Sequence, residues 1–420
     1  MTFLYLFKKI NYNDLKIKEV IDMEYKSLKS IYYSDQKNYN DIYNNRLNSE
    51  STYNFRVDVK GNPAFSVITP NILKQVTEML QKNRALEKLT EQLPPVAIGQ
   101  YTLECLIEEI RLTNEIEGIH STRREITDIL DNAPNKNTRL EGLVNKYNLL
   151  NKETMPLKTC QDIRNIYDSL VLEEVIAADP KNKPDGQIFR LDKVHVQNEL
   201  AKIIHTGVLG EENIIKYLDT CLDVLKDEDY NFFIKVAAFH YLFAYVHPFY
   251  DGNGRVNRFI SSYLLGTQLH QLVSYRLAYT IKKSIDSYYK MFKDTNLDIN
   301  KGDLTPFIEK FLDFIIKAID DLQENLNEKC EELHFYVAQI ESKFDDAKTK
   351  QLLFILVQNA LFKEDGISKD ELCENTILGD TTIRKILKEL EEMNLIQKDR
   401  KGKKFVYRLL IDNIKVEEQR

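Results

Sequence analysis

The amino-acid sequence predicts a mostly α-helical protein with several domains and only short β-strands. Its 420 residues are enough for two or three domains with cores of their own. The chain has only 14 glycines and 10 prolines, which favours helices over β structure rich in turns. Apolar residues recur at helical spacing over long segments, whereas the alternation typical of strands is confined to short runs.

The composition is that of an ordinary globular protein. Hydrophobic residues make up 43% and charged residues 29% of the chain. The formal net charge of −7 excludes a molecule that binds nucleic acid through an overall basic charge. The five cysteines are scattered and lack CxxC spacing, so we expect reduced thiols and neither disulfides nor a zinc site.

The sequence gives no sign of a membrane segment. The opening MTFLYLFKKI contains an apolar run that is too short for a signal peptide, and it lacks a basic lead-in. No uninterrupted apolar stretch reaches the length of a transmembrane helix. We therefore expect a cytoplasmic protein without a membrane partner.

Composition and periodicity divide the chain into four predicted regions. They are an N-terminal extension, a helical region, a helical core and a C-terminal domain, at residues 1–60, 61–155, 156–325 and 345–413. The first 50 residues are rich in Tyr, Asn, Asp and Lys, and we expect them to be loosely docked. Residues 55–68 alternate and predict a hairpin that turns at Gly61-Asn62.

The segment from His247 to Arg258, HPFYDGNGRVNR, carries the chemistry. Glycines allow backbone N–H groups to approach phosphate oxygens, and a helix that begins there adds the positive end of its dipole. Arginines bind phosphates, an aspartate can hold Mg²⁺, and a histidine can take a proton from a hydroxyl. Helical patterns at residues 231–246 and 257–269 predict that the segment is the corner between two helices.

This segment resembles the signature of the Fic family, HPFx(D/E)GNGRxxR, at all of its fixed positions. The resemblance extends over about residues 95–315 and implies a Fic-type helical core with a β-hairpin flap. It also implies transfer of AMP from ATP onto a hydroxyl side chain of a target protein, with Mg²⁺ as cofactor. Relatives that act as kinases carry a lysine where this chain has Gly254, so the glycine favours AMP transfer.

The resemblance assigns a role to each position of the motif. His247 is the implied base for a Ser, Thr or Tyr hydroxyl, and Asp251 is the implied ligand of Mg²⁺. Arg255 would neutralise phosphate charge, and Arg258 would reach the γ-phosphate. The implied nucleotide-binding segment comprises Asp251, Gly252, Asn253, Gly254, Arg255, Val256, Asn257 and Arg258, in which Gly252 to Gly254 form the anion hole.

A second motif, TNEIEG at Thr113 to Gly118, resembles the family's inhibitory signature (S/T)xxxE(G/N). The resemblance implies that Glu117, at the end of a helix at about residues 101–118, pairs with Arg258 and takes the place of the γ-phosphate. Arg258 cannot bind Glu117 and a phosphate bidentately at once. The alternative is an ordinary charged helix end with a glycine C-cap.

Two weaker matches complete the implied nucleotide site. Tyr288, Tyr289 and Asn296 resemble the family's YY…N segment beside the adenine, with core packing as the alternative. Residues 186–190, GQIFR, and the strand Val194, His195, Val196 and Gln197 resemble the flap that clamps nucleotide and target. The spacing GxxxR replaces the commoner GxxR, and the usual prolines after the flap are missing. His240, seven residues before His247, is predicted to be a packing residue.

The C-terminal region resembles a winged helix in the order of its elements. Helices are predicted at residues 352–362, 368–374 and 381–393, and strands at 395–398 and 405–409 that turn at 401–403. Six basic residues against one acid lie between Ile396 and Arg408, and they could contact DNA phosphates. The groove-reading candidates are Thr381, Thr382, Arg384 and Lys385; the alternative is a protein-interaction module.

The sequence leaves three other functions open. The same pocket could remove AMP from a modified target, with Glu117 positioning the attacking water. The protein could be a DNA-binding regulator whose core senses nucleotide, or the donor could be UTP or CDP-choline instead of ATP. A homodimer is also left open.

Overall fold

The computed structural model describes residues 25–131, 139–197, 203–363, 365–401 and 404–414, and it confirms the predicted mostly helical fold. The opening decapeptide lies outside the described residues, as do residues 402 and 403 of the turn predicted at residues 401–403. The helices of the N-terminal half are α1 Leu28–Ser34, α2 Tyr39–Leu47, α3 Pro70–Glu91, α4 Pro95–Ile116, α5 Arg123–Leu130, α6 Glu141–Leu149, α7 Cys160–Tyr167 and α8 Glu173–Ala178.

The second half of the chain is also dominated by helices. Its helices are α9 Glu211–Lys226, α10 Phe232–Val246, α11 Asn253–Gly266, α12 Gln271–Ser274, α13 Leu277–Lys283, α14 Ile285–Thr295, α15 Thr305–Lys343, α16 Ala347–Phe362, α17 Lys369–Glu374 and α18 Asp380–Glu392. The strands of the described chain are β1 Thr52–Val59, β2 Asn62–Val67, β3 His195–Gln197, β4 Ile203–Thr206, β5 Ile367–Ser368, β6 Ile396–Lys401 and β7 Lys404–Leu409.

The centre of the molecule is α10, which is apolar on all sides and is covered by α9, α11 and α15. Helix α15 has 39 residues and is therefore about 58 Å long. Its first part packs along α3 and α10, and it also packs on α16. The sequence placed the end of the core at residue 325 and the next domain at residue 345, but one continuous helix joins the two.

The N-terminal hairpin is confirmed, with a correction to its turn. β1 and β2 pair antiparallel, and Val59 lies opposite Asn62. Lys60 and Gly61 form the turn, and both have positive φ, as two-residue hairpin turns require. The predicted turn at Gly61-Asn62 is therefore one residue late.

The prediction of a loosely docked N-terminus is wrong for residues 25–50. Helices α1 and α2 lie there, and their side chains bind the loop before α15. The Tyr25 hydroxyl donates to Asp303 at 2.8 Å, and the Arg46 guanidinium lies 3.2 Å from the same buried carboxylate. The Tyr39 hydroxyl donates to the Ile299 carbonyl. These long-range contacts have no local sequence signature.

The C-terminal elements occur close to their predicted positions. Helices α16, α17 and α18 are followed by β6 and β7, and Ser368 caps α17 with a reciprocal bond to Glu371. The sequence did not predict β5, which pairs with β7 and gives the sheet the order β5-β7-β6. The described cysteines are free thiols, as expected. Within the described ranges, no helix combines the length and the apolar character needed to cross a bilayer.

Candidate functional site

The predicted helix corner is confirmed, but its second helix begins four residues earlier than expected. Helix α10 ends at Val246, and His247 follows in the left-handed conformation with φ 53°. Gly252 has φ 81°, and α11 begins directly after it at Asn253. A Cβ on Gly252 would lie 2.9 Å from Val171, so both the backbone angle and the packing require glycine here. The helix therefore starts inside the motif.

The Asn253 side chain fixes the shape of the loop between the helices. Its Oδ1 accepts from the Phe249 N–H at 2.9 Å, and its Nδ2 donates to the Phe249 carbonyl at 2.8 Å. The Phe249 ring is fully buried and stacks on Tyr167 with centroids 3.7 Å apart. The asparagine amide is thus occupied by the loop itself, and only its backbone N–H can contribute to an anion hole.

The first turn of α11 offers backbone N–H groups that have no partner within the helix. The carboxylate of Glu117 lies against this turn, because a Cβ built on Gly254 would be 2.1 Å from its Oε1. A helix N-terminus attracts anions through its free donors and its dipole. The carboxylate therefore occupies a position suited to a phosphate group.

Arg258 holds Glu117 in this position. Its Nη2 donates to Glu117 Oε1 at 2.7 Å and to the Thr113 carbonyl at 2.9 Å, and its Nε donates to Thr113 Oγ1 at 2.8 Å. Glu117 is the C-cap of α4, and Gly118 follows with φ 74°. In TNEIEG the glycine thus ends the helix and the glutamate pairs with the arginine, whereas inhibition by Glu117 stays a prediction.

The ion pair is unequally buried. The Arg258 side chain is 2% exposed, whereas that of Glu117 is 28% exposed. Burial alone would lower the pKa of Arg258, but the charge and hydrogen bond of Glu117 raise it above its ordinary value. The arginine is thus permanently charged, and the glutamate is the partner that can leave.

The other motif arginine also has a carboxylate partner. Arg255 is 1% exposed, and its Nη1 donates to Glu174 Oε2 at 2.5 Å. Glu174 lies in α8, just after a π-helical turn at Asp168–Leu172. Sequence reasoning missed this residue, because a π turn breaks the helical period and carries no motif. The implied contact of Arg255 with phosphate stays a prediction.

The surroundings of His247 favour the neutral imidazole, which is the form that can accept a proton. Burial, the neighbouring His205 and Arg190 together lower its pKa to about 4, although a hydrogen bond to the Ala244 carbonyl and the charge of Glu117 oppose this shift. The imidazole is therefore neutral near pH 7. A neutral imidazole has one ring nitrogen with a free lone pair, which can take a proton.

Asp251 is the candidate metal ligand, and its position fits a substrate-bound Mg²⁺. Its Oδ1 accepts from the Gly252 N–H at 2.6 Å, and the carboxylate is only partly buried. Among the described residues no group of three or more His, Cys, Asp or Glu side chains could hold a metal ion. One carboxylate is nevertheless sufficient where phosphate oxygens and water supply the other ligands of Mg²⁺.

Other predicted nucleotide contacts face the core. Val256 is fully buried, and Asn257 donates to the His240 carbonyl at 2.8 Å. Tyr288 is 5% exposed, and its hydroxyl lies 2.8 Å from His240 Nε2. His240 is a packing residue, as predicted, and its other ring nitrogen lies 2.8 Å from the Ser261 hydroxyl.

The rest of the YY…N segment is divided between surface and core. Tyr289 is 48% exposed, and its ring meets that of Tyr288 with centroids 5.6 Å apart. The Asn296 side chain accepts from the Tyr241 hydroxyl at 2.7 Å, and the Asn296 backbone N–H donates to the end of α14. Packing thus accounts for Tyr288 and Asn296, and adenine contact by the three residues stays a prediction.

The flap is confirmed only for its second predicted part. β3 and β4 pair antiparallel, and the Val194 carbonyl accepts from the Gly207 N–H at 3.1 Å. His195 Nδ1 lies 3.0 Å from the Thr206 hydroxyl, while the side chains of Val196 and Gln197 lie outside the described residues. Residues 186–190 are not a strand: Glu211 caps three of their N–H groups, so the flap assignment is wrong there.

Comparison with known proteins supports the resemblance. The Fic/DOC family model matches residues 158–265. The protein adenylyltransferases Fic of Drosophila yakuba and Drosophila melanogaster are 32% identical over 97 residues, which are 21% of this chain and 18% of each relative. The chain thus spans about a fifth of the length of these curated relatives.

Solved structures also show the fold. A Fic family protein from Desulfovibrio desulfuricans G20 matches with a TM-score of 0.50 and 20% identity, over 82% of this chain and 97% of that chain. Fic-1 of C. elegans (aa134–508) gives a TM-score of 0.45 and 18% identity, over 72% of this chain and 81% of that chain. At this identity the first match supports the fold alone. With the matched domain and the motif corner together, residues 158–265 form a domain of the Fic/DOC family.

Proposed function

We propose that this protein transfers AMP from ATP to a Ser, Thr or Tyr hydroxyl of a target protein, and that Glu117 restrains the reaction. The observation that carries the proposal is the carboxylate of Glu117, which lies on Gly254 and is paired with Arg258 at 2.7 Å. An anion thus occupies the anion-binding end of α11, one helical turn from a buried arginine.

Competition for the same donors explains the restraint. A charge-assisted hydrogen bond contributes roughly 1.5–3 kcal/mol. Competition with Glu117 should therefore weaken phosphate binding about 10- to 100-fold. Removing the carboxylate leaves Arg258 and the first turn of α11 free for phosphate. We therefore expect ATP to take a productive position only when Glu117 has moved away or been replaced.

The proposed step is an in-line displacement at the α-phosphorus of ATP. The acceptor hydroxyl oxygen forms the new P–O bond, its proton passes to His247, and the bond to the bridging oxygen breaks so that pyrophosphate leaves. Proton transfer to a positioned base contributes on the order of 10²–10⁴-fold. The N–H groups at the start of α11, together with Arg255 and Arg258, would stabilise the developing charge.

Asp251 would hold Mg²⁺ when ATP is bound, and the ion would supply charge neutralisation to the phosphates. The relatives that match this domain are named adenylyltransferases, which supports the same donor and reaction. The contacts of the described site residues lie around the phosphate position and leave the choice of base open. Competition of labelled ATP with UTP and CDP-choline therefore tests the donor.

Removal of AMP from a modified target is the second candidate function. The 28% exposure of the Glu117 side chain favours it, because an accessible carboxylate beside the phosphate position can orient a water molecule. Transfer and removal require His247 and Asp251 alike, but they depend on Glu117 in opposite ways.

A two-stage labelling experiment separates the two activities. Lysate proteins are first labelled from α-labelled ATP with the Glu117→Gly protein, and free ATP is then removed. Adding the parent protein should leave the label in place if it is a restrained transferase. Rapid release of AMP by the parent, and none by Glu117→Gly, would instead establish removal as its main activity. A Glu117→Gly protein that incorporates no label from any donor contradicts the proposed transfer.

A further inference from the structure

A buried guanidinium lies beside His247 and makes no contact that the proposed reaction requires. Arg190 has 0% exposure. Its Nε donates to the His247 carbonyl at 2.8 Å, and its Nη2 donates to the carbonyls of Val208 at 2.8 Å and Val246 at 3.2 Å. Its Nη1 donates to the Asp192 carbonyl at 2.5 Å. One side chain thus ties together the end of α10 and both sides of the flap base.

The acceptors of Arg190 are all backbone carbonyls. Within the described ranges no carboxylate lies at ion-pair distance from its guanidinium, although Arg255, Arg258 and Arg276 each have one. Burying a charge without a counter-ion is costly, and burial lowers the pKa of Arg190. A neutral side chain could donate some of these hydrogen bonds with a smaller desolvation penalty. The retained charge therefore calls for an explanation beyond packing.

The contacts of Arg190 hold an unusual backbone. His247 has φ 53°, which costs a residue with a side chain roughly 1–2 kcal/mol. The fork of Arg190 binds the two successive carbonyls of Val246 and His247, and the Val208 N–H donates to the first of them at 3.0 Å. Together these bonds fix the turn from which the imidazole projects.

Gly207 makes this close approach possible. A Cβ there would lie 2.5 Å from Arg190 Nη2 and 3.0 Å from the Cβ of His247. Any larger residue would separate the segment that follows β4 from the guanidinium and the histidine. The chain is therefore shaped to bring a positive charge next to the base.

We propose that Arg190 is a positioning residue of the transfer reaction, whose guanidinium fixes the left-handed turn at His247 and places a positive charge beside the imidazole. The proposal rests on the proposed function and gives Arg190 a role at His247 that differs from the one implied by the flap resemblance. Arg190 acts through His247 and is not itself expected to touch substrate.

His205 and Glu117 are the other titratable groups that affect the pH dependence of His247. His205, at the flap base, lies 2.6 Å from the Tyr245 carbonyl through its Nε2. Burial, His205 and Arg190 lower the pKa of His247, whereas Glu117 raises it. Variants of Arg190 are therefore compared in the Glu117→Gly background, where the opposing charge is absent.

Three variants separate the positioning of His247 by Arg190 from the effect of the Arg190 charge. Arg190→Lys keeps the charge but loses the forked donors of the guanidinium. The rate of transfer on the plateau of the pH profile should therefore fall roughly tenfold, while the acid limb of the profile stays in place. Arg190→Gln loses both, so the plateau should fall further and the acid limb should move to higher pH. The control is Arg164→Gln, which removes a bond to the nearby Ile188 carbonyl but touches neither Val246 nor His247. Its pH profile should match that of Glu117→Gly.

Titration of the His247 imidazole by NMR tests the proposal without relying on transfer. The signal is assigned by its loss in His247→Ala, and folding is checked by circular dichroism. We expect the midpoint to rise in Arg190→Gln and to stay unchanged in Arg190→Lys and Arg164→Gln. An unchanged midpoint in Arg190→Gln overturns the role of the charge, and an unchanged plateau overturns the positioning role. If Glu117→Gly transfers nothing, the proposed function fails, and the midpoint alone then decides whether Arg190 controls the imidazole.

Discussion

At the scale of single residues, the two arginines of the motif are held by two different carboxylates. Arg258 is paired with Glu117, which is partly exposed, whereas Arg255 is paired with Glu174, whose side chain is 9% exposed. Breaking a partly exposed pair costs less than breaking a buried one. Glu117 is therefore the contact that can respond to a ligand, and Glu174 is a fixed part of the site.

Replacing Arg258 tests whether it serves both restraint and substrate. In the Glu117→Gly background, Arg258→Ala should raise the KM for ATP and lower transfer about 10- to 100-fold, because the phosphate loses a charge-assisted partner. Steady-state labelling over a range of ATP concentrations measures both effects. Arg258→Lys, which keeps the charge, should lose less. Equal KM values for Glu117→Gly and the double variant would show that Arg258 does not bind the donor.

The pH dependence of transfer follows from the environment of His247. Burial, His205 and Arg190 lower its pKa to about 4, so the neutral base is present above that value and is lost as the pH falls through it. We expect kcat/KM of the Glu117→Gly protein to stay level well below pH 6.5. An acid limb centred near pH 6.5 would mean that the base is an ordinary exposed histidine.

Sequence reasoning found the residues of the motif but not the residues that support them. The two motifs identified His247, Arg258 and Glu117, because each of these residues lies at a fixed spacing in a short segment. Glu174, Arg190 and Gly207 act through contacts between distant parts of the chain, such as Arg190 to Val208 over 18 residues and Arg255 to Glu174 over 81 residues. No local pattern records such contacts, and Arg190 was assigned to a strand that is absent.

At the scale of elements, the position of Glu117 depends on α4. This helix packs on α13, and the buried carboxylate of Glu109 accepts from the Ala278 N–H at the start of α13. It also packs on α16, where the rings of Tyr101 and Phe362 meet edge to face at 6.4 Å. The helix that restrains the site is thus held by the core on one side and by the C-terminal region on another.

Removing the Phe362 ring should loosen this arrangement. Phe362→Ala is expected to lower the free energy of unfolding by about 3–5 kcal/mol and to raise the basal transfer of the protein that retains Glu117. Urea unfolding and label incorporation measure the two effects. The control is Phe354→Ala, in the same helix but only partly buried. A large loss of stability with no rise in transfer would show that α16 does not set the position of α4.

The elements themselves were predicted where apolar periodicity was strong. Helices α10, α16 and α18 lie within a few residues of their predicted bounds, because each buries an apolar face or all of its faces. Helix α11 starts earlier than predicted because DGNG has loop composition, although Gly252 and Asn253 build a helix start. Helices α1 and α2 are polar in sequence and are stabilised by distant partners such as Asp303.

At the scale of the whole molecule, the C-terminal region has the element order of a winged helix, but its third helix is not basic. Arg384 pairs with Asp380, Lys385 with Glu389 and Lys388 with Glu392. With Glu391, helix α18 has three basic and four acidic residues, a net charge of −1. Such a surface does not attract a phosphate backbone.

We therefore expect the full chain to bind DNA weakly and without sequence preference. Fluorescence anisotropy with labelled duplexes should show binding at 50 mM salt or below that disappears by about 200 mM, carried by the basic residues of β6 and β7 alone. Replacing Arg384 and Lys385 by alanine should change little. Tight, sequence-selective binding that these two replacements abolish would instead establish a DNA-reading helix.

Restraint of AMP transfer by Glu117 is the central proposal. The direct test is incorporation of label from α-labelled ATP with Mg²⁺ into lysate proteins, compared among the parent, Glu117→Gly and Glu117→Gly/His247→Ala proteins. We predict strong labelling only by Glu117→Gly, at roughly 10- to 100-fold above the parent, and its loss in the double variant. Equal labelling by the parent and Glu117→Gly, or full labelling without His247, would contradict the account.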